Sequence, residues 1–224
     1  MLSYKFKRFY YFLFTPIMEA NAAIYKGIRS PAKGNSSTIK VQLGPGRNNY
    51  LNGWLNVDSN KFTAKVDIWA NISEKLPFQD ESVDLFYSHH VIEHLPSLEV
   101  HFQEMFRSLK KGGKIRVGGP NGDSAIVKFS ENDLSWFPDF PDKKLSIGGK
   151  FENFVFCRKE HLTILTKSYL EEIMQAIGFV NITVCLPTKE TNFAPLIDRN
   201  VLEKEWETDF TYPHTLIIEA EKPK

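Results

Sequence analysis

Short apolar runs separated by turns and helical segments make up most of the chain after residue 38. Runs of this length with β-branched and aromatic residues predict strands, and they lie at residues 39–43, 54–57, 65–68, 83–87 and 114–117. Between the last two runs, Leu98, Phe102, Met105 and Leu109 recur at helical spacing, and Gly112-Gly113 are predicted to end this helix. Strands that alternate with crossovers predict an α/β fold with a doubly wound, mostly parallel sheet and helices on both faces.

The C-terminal part of the chain follows another pattern. Leu170, Ile173 and Ile177 indicate a helix that ends at Gly178, with Ser168 as the predicted start of its capping box. Two alternating strands follow, at residues 180–184 and 215–220. Alternating strands after a parallel run predict an antiparallel hairpin at one edge of the sheet.

Two segments have a composition unlike the rest. Residues 119–165 lack clear periodicity and are rich in Pro, Gly and Phe, so we predict a substrate-covering insertion within a domain that spans 39–224. Residues 30–38 read as a linker. Residues 1–38 are therefore predicted to form a separate N-terminal arm.

The arm is basic and aromatic. Three basic residues at positions 5–8 precede the aromatic run 9–14. Such a composition in residues 1–18 suits an anionic membrane surface or a partner protein. Apolar residues then recur at helical spacing and predict an amphipathic helix over 17–28 that packs on the domain; they are Ile17, Ala20, Ile24 and Ile28.

Length and composition restrict the class of protein. The longest apolar run, Phe9 to Met18, is far shorter than the ~20 residues of a membrane-spanning helix. A net charge of +1 gives no global field for nucleic acid, so we predict no nucleic-acid partner. Cys157 and Cys185 alone cannot form a disulfide framework or a cysteine-rich zinc site.

These features predict a cytoplasmic protein. Any contact with a membrane is expected to be made by its arm. Secretion is the alternative, because Ala20-Asn21-Ala22 resembles a cleavage site after a basic start and an apolar stretch. Pro16 interrupts that stretch and Glu19 lies beside the site, and both disfavour a signal peptide.

Polar and glycine residues at the predicted strand ends indicate a ligand site. In a doubly wound sheet, ligands bind at the carboxyl ends of the strands. The first strand is followed by Gly44-Pro45-Gly46, where glycines let the backbone approach a ligand, and the second ends in Asp58, which can accept hydrogen bonds from ribose hydroxyls. The intervening residues 47–53 leave little room for a helix, which favours a ligand without phosphates over a dinucleotide.

Residues 41–46 and 53–58 resemble the first two motifs of class I S-adenosylmethionine-dependent methyltransferases. The resemblance is greatest to a branch with a short first crossover and a Gly-Trp-x-Asn-Val-Asp second strand. Three later segments agree in order, 76–84, 88–95 and 107–114, so the resemblance covers residues 41–118, and a weaker one covers 161–179.

The resemblance implies a Rossmann-like fold with S-adenosylmethionine as cofactor. It places Gly44, Pro45 and Gly46 under the methionine portion and Asp58 on the ribose. Asn71 stands where the family often has an aspartate that reads the adenine amino group. The remaining positions implied to contact the cofactor are Ile72, packed on the adenine ring, and Ser88 and His89, beside the reactive methyl.

Methyl transfer to a hydroxyl group gains from a general base, and histidine is suited to that role near neutral pH. We predict His90 as the leading catalytic residue, because it lies where the fourth strand opens beside the methyl group. His161 is the second candidate, in the region that would cover the acceptor. Each could instead be structural. His89, His90 and His94 also suggest a metal site, but no pattern fixes coordination, so we predict none.

The acceptor is predicted to be a small molecule or a sugar hydroxyl, because the branch is often associated with surface-polysaccharide and glycan assembly. Residues 120–123 and the aromatic stretch 136–140 are candidates to line its pocket. Two alternatives remain. One is a nicotinamide-dependent Rossmann enzyme, although the third glycine and longer crossover are missing; the other is a nonenzymatic relative that acts through its arm.

Overall fold

We describe residues 4–27 and 38–224 of the chain from a computed structural model. Within these residues, seven strands form one sheet in the order β3-β2-β1-β4-β5-β7-β6. The strands are β1 (Lys40–Leu43), β2 (Leu55–Asp58), β3 (Ile68–Trp69), β4 (Val83–His89), β5 (Leu109–Pro120), β6 (Val180–Cys185) and β7 (Thr215–Glu221). The linker predicted at 30–38 lies outside the described residues except for Thr38.

The sheet confirms the predicted α/β, Rossmann-like topology. Strands β1 to β5 pair with one another in parallel, whereas β7 is antiparallel to both β5 and β6. The predicted antiparallel pair at one edge is therefore present, but residues 186–214 connect its strands instead of a tight turn. The predicted third strand, 65–68, is reduced to the two residues of β3.

The helices are α1 (Tyr4–Gly27), α2 (Leu98–Ser108), α3 (Gly122–Ser130), α4 (Ile147–Phe156), α5 (Lys167–Ile177) and α6 (Arg199–Leu202). The prediction that Gly112-Gly113 ends a helix is wrong, because α2 ends at Ser108 and β5 runs through both glycines. The predicted cap of α5 is also wrong. Thr166, not Ser168, accepts the hydrogen bond from the Tyr169 amide, and Gly178 ends the helix in the left-handed conformation as expected.

Hydrophobic clusters cover both faces of the sheet. The larger one joins the strands to the apolar sides of α2 and α5, including Phe102 and Leu170. The second cluster joins Trp54 and Tyr87 to the 186–214 segment and α6. One face is thus covered mainly by irregular chain and a four-residue helix, where the sequence pattern predicts helices on both faces.

Helix α1 packs against β3, as expected, but with another face than predicted. Ile17 and Ile24 are exposed, whereas Met18 is fully buried. The Asn21 side-chain amide donates a hydrogen bond to the Trp69 carbonyl at 2.7 Å. The helix also starts earlier than position 17 and continues through Pro16.

The outward side of α1 is apolar, and its exposed side chains include Phe9, Phe12, Leu13, Ile17 and Ile24. Contact of residues 1–18 with a membrane surface or a partner protein stays a prediction. Within the described residues, no helix is both long and apolar enough to cross a membrane.

A buried ion cluster ties the sheet to the segment beyond β6. Arg116 of β5 donates two hydrogen bonds to Glu205, at 2.6 and 2.7 Å, and one to Glu219 of β7 at 2.6 Å. The three side chains are fully buried. Backbone amides of Thr188 and Asn192 donate to the same carboxylates, so the cluster also positions the chain that covers the second face.

Replacing Arg116 by alanine should destabilise the fold strongly, because two buried carboxylates would lose the cation that they share. We expect the free energy of unfolding in urea to fall by about 3–5 kcal/mol. Arg199→Ala is the matched control, since Arg199 and Glu203 form an exposed pair whose loss should cost less than about 1 kcal/mol. Equal effects of both substitutions would contradict a structural role for the buried cluster.

Candidate active site

The strand order reverses between β1 and β4, and this reversal opens a crevice at the carboxyl edge of the sheet. β1 pairs with β2 on one side and with β4 on the other. Leu43 is therefore level with both Val57 and Ser88. As a result, the residues that follow β1, β2 and β4 converge, as the resemblance implies.

The two glycines of the turn after β1 differ in the space around them. Gly44 has a φ of +70°, and a Cβ atom there would lie 2.3 Å from a methyl group of Val91. Gly46 has a φ of +55°, but a Cβ atom there would meet nothing within 4 Å. Packing therefore requires glycine at 44, whereas Gly46 borders open space. Pro45 between them is buried, and no helix forms between β1 and β2, as predicted.

Asp58 at the end of β2 is tied to this turn. Its Oδ2 accepts a hydrogen bond from the Gly46 amide at 3.0 Å, and its Oδ1 accepts one from the Asn60 amide at 2.8 Å. Burial raises the pKa of Asp58 although both amides oppose the shift. Each carboxylate oxygen keeps a second lone pair, with which it can accept a ribose hydroxyl.

Helix α1 reaches the same corner, which the sequence pattern does not indicate. The Tyr10 hydroxyl donates to the Ser59 carbonyl at 2.5 Å, next to Asp58. The Trp69 indole donates to the same carbonyl at 2.8 Å. The arm is therefore part of the wall beside the ribose position.

The residues predicted to hold adenine follow β3. Asn71 uses its side-chain oxygen to accept a hydrogen bond from the Ser73 amide at 3.0 Å, a contact typical of a turn residue. Ile72 is almost fully buried in the larger core cluster, and its carbonyl accepts a hydrogen bond from His101. Adenine contact by Asn71 and Ile72 stays a prediction.

At the end of β4, Ser88 and His89 point to opposite faces, as successive strand residues do. The Ser88 hydroxyl is buried and has no hydrogen-bond partner among the described residues. His89 lies parallel to the ring of Tyr87, with 6.4 Å between ring centroids. Burial lowers the pKa of His89 well below its usual value, so this imidazole is neutral.

His90 leaves the strand in a left-handed conformation, with a φ of 54°. Its Nδ1 lies 3.3 Å from Glu93 Oε1 and its Nε2 lies 3.2 Å from the hydroxyl of Thr215. The side chain remains 44% exposed, whereas that of Glu93 is 1% exposed. His90 thus bridges a buried carboxylate and the open crevice.

Glu93 is held in its charged form. Burial alone would raise its pKa, but the hydrogen bond with His90 and the proximity of His90 and His94 bring the pKa below its usual value. An ionised carboxylate accepts a proton from Nδ1–H, so Glu93 favours the His90 tautomer whose Nε2 is the free base.

His161 lies on the other side of Glu93. A carboxylate oxygen of Glu93 and one ring nitrogen from each of His94 and His161 lie within 4.8 Å of one another. The structure therefore brings together both predicted catalytic histidines, one on either side of Glu93. His89 packs edge-on against His90, with 4.5 Å between ring centroids, but among the described residues the group that could hold a metal is Glu93, His94 and His161, without His89 or His90.

Sequence reasoning missed Thr215 and the convergence of His161 with Glu93. Thr215 is 125 residues from His90, and no local spacing connects them. The predicted acceptor-lining stretch also behaves differently. Trp136 and Phe137 are buried in a cluster with α4, and Trp136 stacks on His214 at 4.3 Å. Of the aromatic side chains in that stretch, only Phe140 is largely exposed.

The cleft fits S-adenosylmethionine. Gly46 borders open space, Asp58 has free lone pairs for hydroxyls, and the buried Ser88 hydroxyl lacks a partner among the described residues. Neither Tyr50 nor Trp54, the aromatic residues near the cleft, fills it. The Tyr50 hydroxyl donates to Asp67, and Trp54 packs against Tyr87.

Gly46→Ala should weaken cofactor binding without preventing folding. Calorimetry should show that the dissociation constant for S-adenosylhomocysteine rises at least about tenfold, which corresponds to about 1.4 kcal/mol. The matched control is Gly53→Ala, at the amino end of β2, since Gly53 also has a positive φ and free space around a Cβ atom. Equal affinities of the two variants would show that Gly46 does not border the ligand.

Comparison with known proteins supports this assignment. A methyltransferase-domain family matches residues 50–117, from the turn before β2 into β5. An uncharacterized protein of Methanocaldococcus jannaschii is 33% identical over 100 residues, which cover 42% of this chain and 49% of that protein. The match thus spans about half the length of this curated relative.

Solved structures of methyltransferases share the fold. A SAM-dependent methyltransferase from Thermotoga maritima superposes with a TM-score of 0.54 at 19% identity, covering 97% of this chain and 95% of that one. One from Archaeoglobus fulgidus gives 0.52 at 18% identity, with coverages of 95% and 100%.

Phosphoethanolamine N-methyltransferase 2 from Haemonchus contortus, solved in complex with S-adenosyl-L-methionine, gives a TM-score of 0.52 at 17% identity. The match covers 92% of this chain and 53% of that one. Taken with the cleft, the family match over residues 50–117 and the shared fold support a methyltransferase domain that binds S-adenosylmethionine.

Proposed function

We propose that this protein transfers a methyl group from S-adenosylmethionine to a hydroxyl group of a small molecule or sugar. The observation that carries this proposal is the His90–Glu93 pair at the carboxyl end of β4, with Nδ1 and Oε1 3.3 Å apart. An oriented imidazole backed by a buried carboxylate is the arrangement that a hydroxyl acceptor needs and that a neutral amine does not.

The chain aligns the donor through groups that are already fixed. When bound, S-adenosylmethionine supplies a methyl group activated on a sulfonium. Asp58, tied to Gly46, would accept the ribose hydroxyls, and the turn at Gly46 would lie along the amino-acid portion. Because the donor is activated, alignment and exclusion of water account for much of the rate enhancement.

His90 acts on the acceptor in this proposal. Glu93 holds the proton on Nδ1, so Nε2 would take the proton of the acceptor hydroxyl as its oxygen bonds to the methyl carbon and the bond from that carbon to sulfur breaks, which would leave S-adenosylhomocysteine. Nε2 lies 3.2 Å from the Thr215 hydroxyl, so this nitrogen is already within reach of an O–H group. An acceptor hydroxyl would compete with or replace that contact.

The finer proposal, a sugar in surface-glycan assembly, is supported by the likeness of Gly53 to Asp58 to the short-crossover branch. Residues 119–165, the predicted substrate-covering insertion, also support this proposal. Helix α3 follows β5 directly, with Asn121 as its N-cap, and α4 begins at Ile147. In this proposal these helices close over the acceptor.

Two substitutions should separate transfer from cofactor binding. His90→Ala should lower the rate of methyl transfer by about 10²–10⁴-fold with little change in the affinity for S-adenosylhomocysteine. Asp58→Asn should instead act on cofactor binding and weaken the affinity for S-adenosylhomocysteine at least about tenfold. The measurements are labelled-methyl transfer to a panel of sugars and small hydroxyl compounds, and calorimetric titration.

Unchanged turnover of His90→Ala would remove His90 from the mechanism. Efficient methylation of amines, with no hydroxyl compound accepted, would contradict the proposed acceptor class. Stabilisation of the protein by NAD and not by S-adenosylhomocysteine would contradict the whole proposal, because a ligand that binds only the native state raises its stability.

A further inference from the structure

Glu93, His94 and His161 form a compact cluster of side chains beside His90. Glu93 and His94 belong to a 3₁₀ turn at residues 92–94, between β4 and α2. His161 comes from the segment between α4 and α5. One potential ligand atom from each residue lies within 4.8 Å of the other two, so the three residues form a group that could hold a metal ion.

Both histidines have their tautomer fixed by the backbone. His94 Nδ1 lies 2.8 Å from the carbonyl oxygen of Glu160, and His161 Nδ1 lies 2.9 Å from that of Val155. A carbonyl oxygen only accepts, so each Nδ1 carries the proton and donates it. In the neutral rings, each Nε2 is then a lone-pair donor. Metal-binding histidines are oriented by this kind of contact.

The chain holds the two parts of the cluster together by further hydrogen bonds. The Leu162 amide donates to the Glu93 carbonyl at 2.7 Å. With the His94–Glu160 contact, this bond fixes residues 160–162 against the 3₁₀ turn. The placement of His161 therefore results from backbone contacts on both of its sides and not from a flexible loop.

The Glu93 carboxylate is buried but incompletely satisfied. Oε1 faces His90, whereas Oε2 is buried without a hydrogen-bond partner among the described residues. A Cβ atom at position 119 would come within 2.9 Å of Oε2, so Gly119 leaves the space that this oxygen occupies. A buried, unpartnered carboxylate oxygen is costly unless a cation or a donor compensates it.

The inward-facing atoms of the whole cluster also favour a bound cation. His94 Nε2 lies 3.7 Å from Glu93 Oε1. With both Nδ1 protons donated to carbonyls, the inward-facing atoms are two lone-pair nitrogens and a carboxylate. The lone pairs of these three groups repel one another, and a cation between them relieves this repulsion.

We propose that Glu93, His94 and His161 bind a divalent first-row transition-metal cation. Two imidazoles and one carboxylate suit Zn²⁺, Mn²⁺ or Fe²⁺ better than Mg²⁺ or Ca²⁺, which prefer oxygen ligands. Three protein ligands leave coordination positions open. This site replaces the expectation, drawn from the sequence pattern, that the protein has no metal.

The location next to His90 indicates what the cation does. In a role that rests on the proposed function, the acceptor oxygen would occupy an open coordination position, and the cation would lower the pKa of that hydroxyl. His90 would then take the released proton. Binding of the cation itself does not depend on this role.

The test is calorimetric titration of the full chain with Zn²⁺ and, separately, with Mg²⁺. We expect one Zn²⁺ per chain, weaker binding of Mg²⁺, and at least about tenfold weaker Zn²⁺ binding in His161→Gln. His94→Gln provides a second variant at an exposed side chain, whose folding is less at risk. Circular dichroism and S-adenosylhomocysteine affinity report on folding independently.

His214→Gln is the matched control. His214 also pairs with a glutamate, but its Nδ1 faces Glu207 and its Nε2 faces the Trp136 carbonyl, so no nitrogen is left for a metal. Zn²⁺ binding of this variant should equal that of the wild type. No Zn²⁺ binding by the wild type, or equal binding by the wild type and both cluster variants, would overturn the proposal. Intact Zn²⁺ binding without methyl transfer would overturn only the proposed function.

Discussion

The reversal of strand order between β1 and β4 is the constraint on which the site depends. Parallel strands that diverge from this point leave their carboxyl ends at one edge without a covering crossover. Gly46, Asp58 and His90 are far apart in the chain but all follow strands that end there. The Arg116 ion cluster keeps β5 and β7 in register beside this edge, and thereby holds Thr215 within reach of His90.

Glu93 connects the two chemical proposals. A buried carboxylate needs compensation, and this one has a histidine on Oε1 and an unpartnered Oε2. Its position in a short turn directly after β4 lets one side chain serve the crevice through His90 and the cluster through His94 and His161. A site in which acceptor activation and cation binding share a carboxylate would couple the two processes.

The parts of the fold that were predictable are those encoded by local pattern. The short apolar runs located most of the strands, and the glycine turn and Asp58 were correctly placed at strand ends, because a strand end and the residues after it are adjacent in sequence. The errors are also local. Gly112-Gly113 lie inside β5 because pairing with β4 and β7 overrides their turn preference. The buried face of α1 is set by Trp69 and not by its own apolar spacing.

The sequence by itself determined the α/β class, the crevice-forming turn and the identity of the groups that can accept a hydrogen bond from a ribose or take a proton. Only the tertiary structure decided which of these groups meet. His161 reaches Glu93 because backbone hydrogen bonds hold residues 160–162 against the 92–94 turn, and Thr215 reaches His90 because β7 inserts antiparallel beside β5. Such contacts join residues tens of positions apart, and sequence spacing carries no information about them.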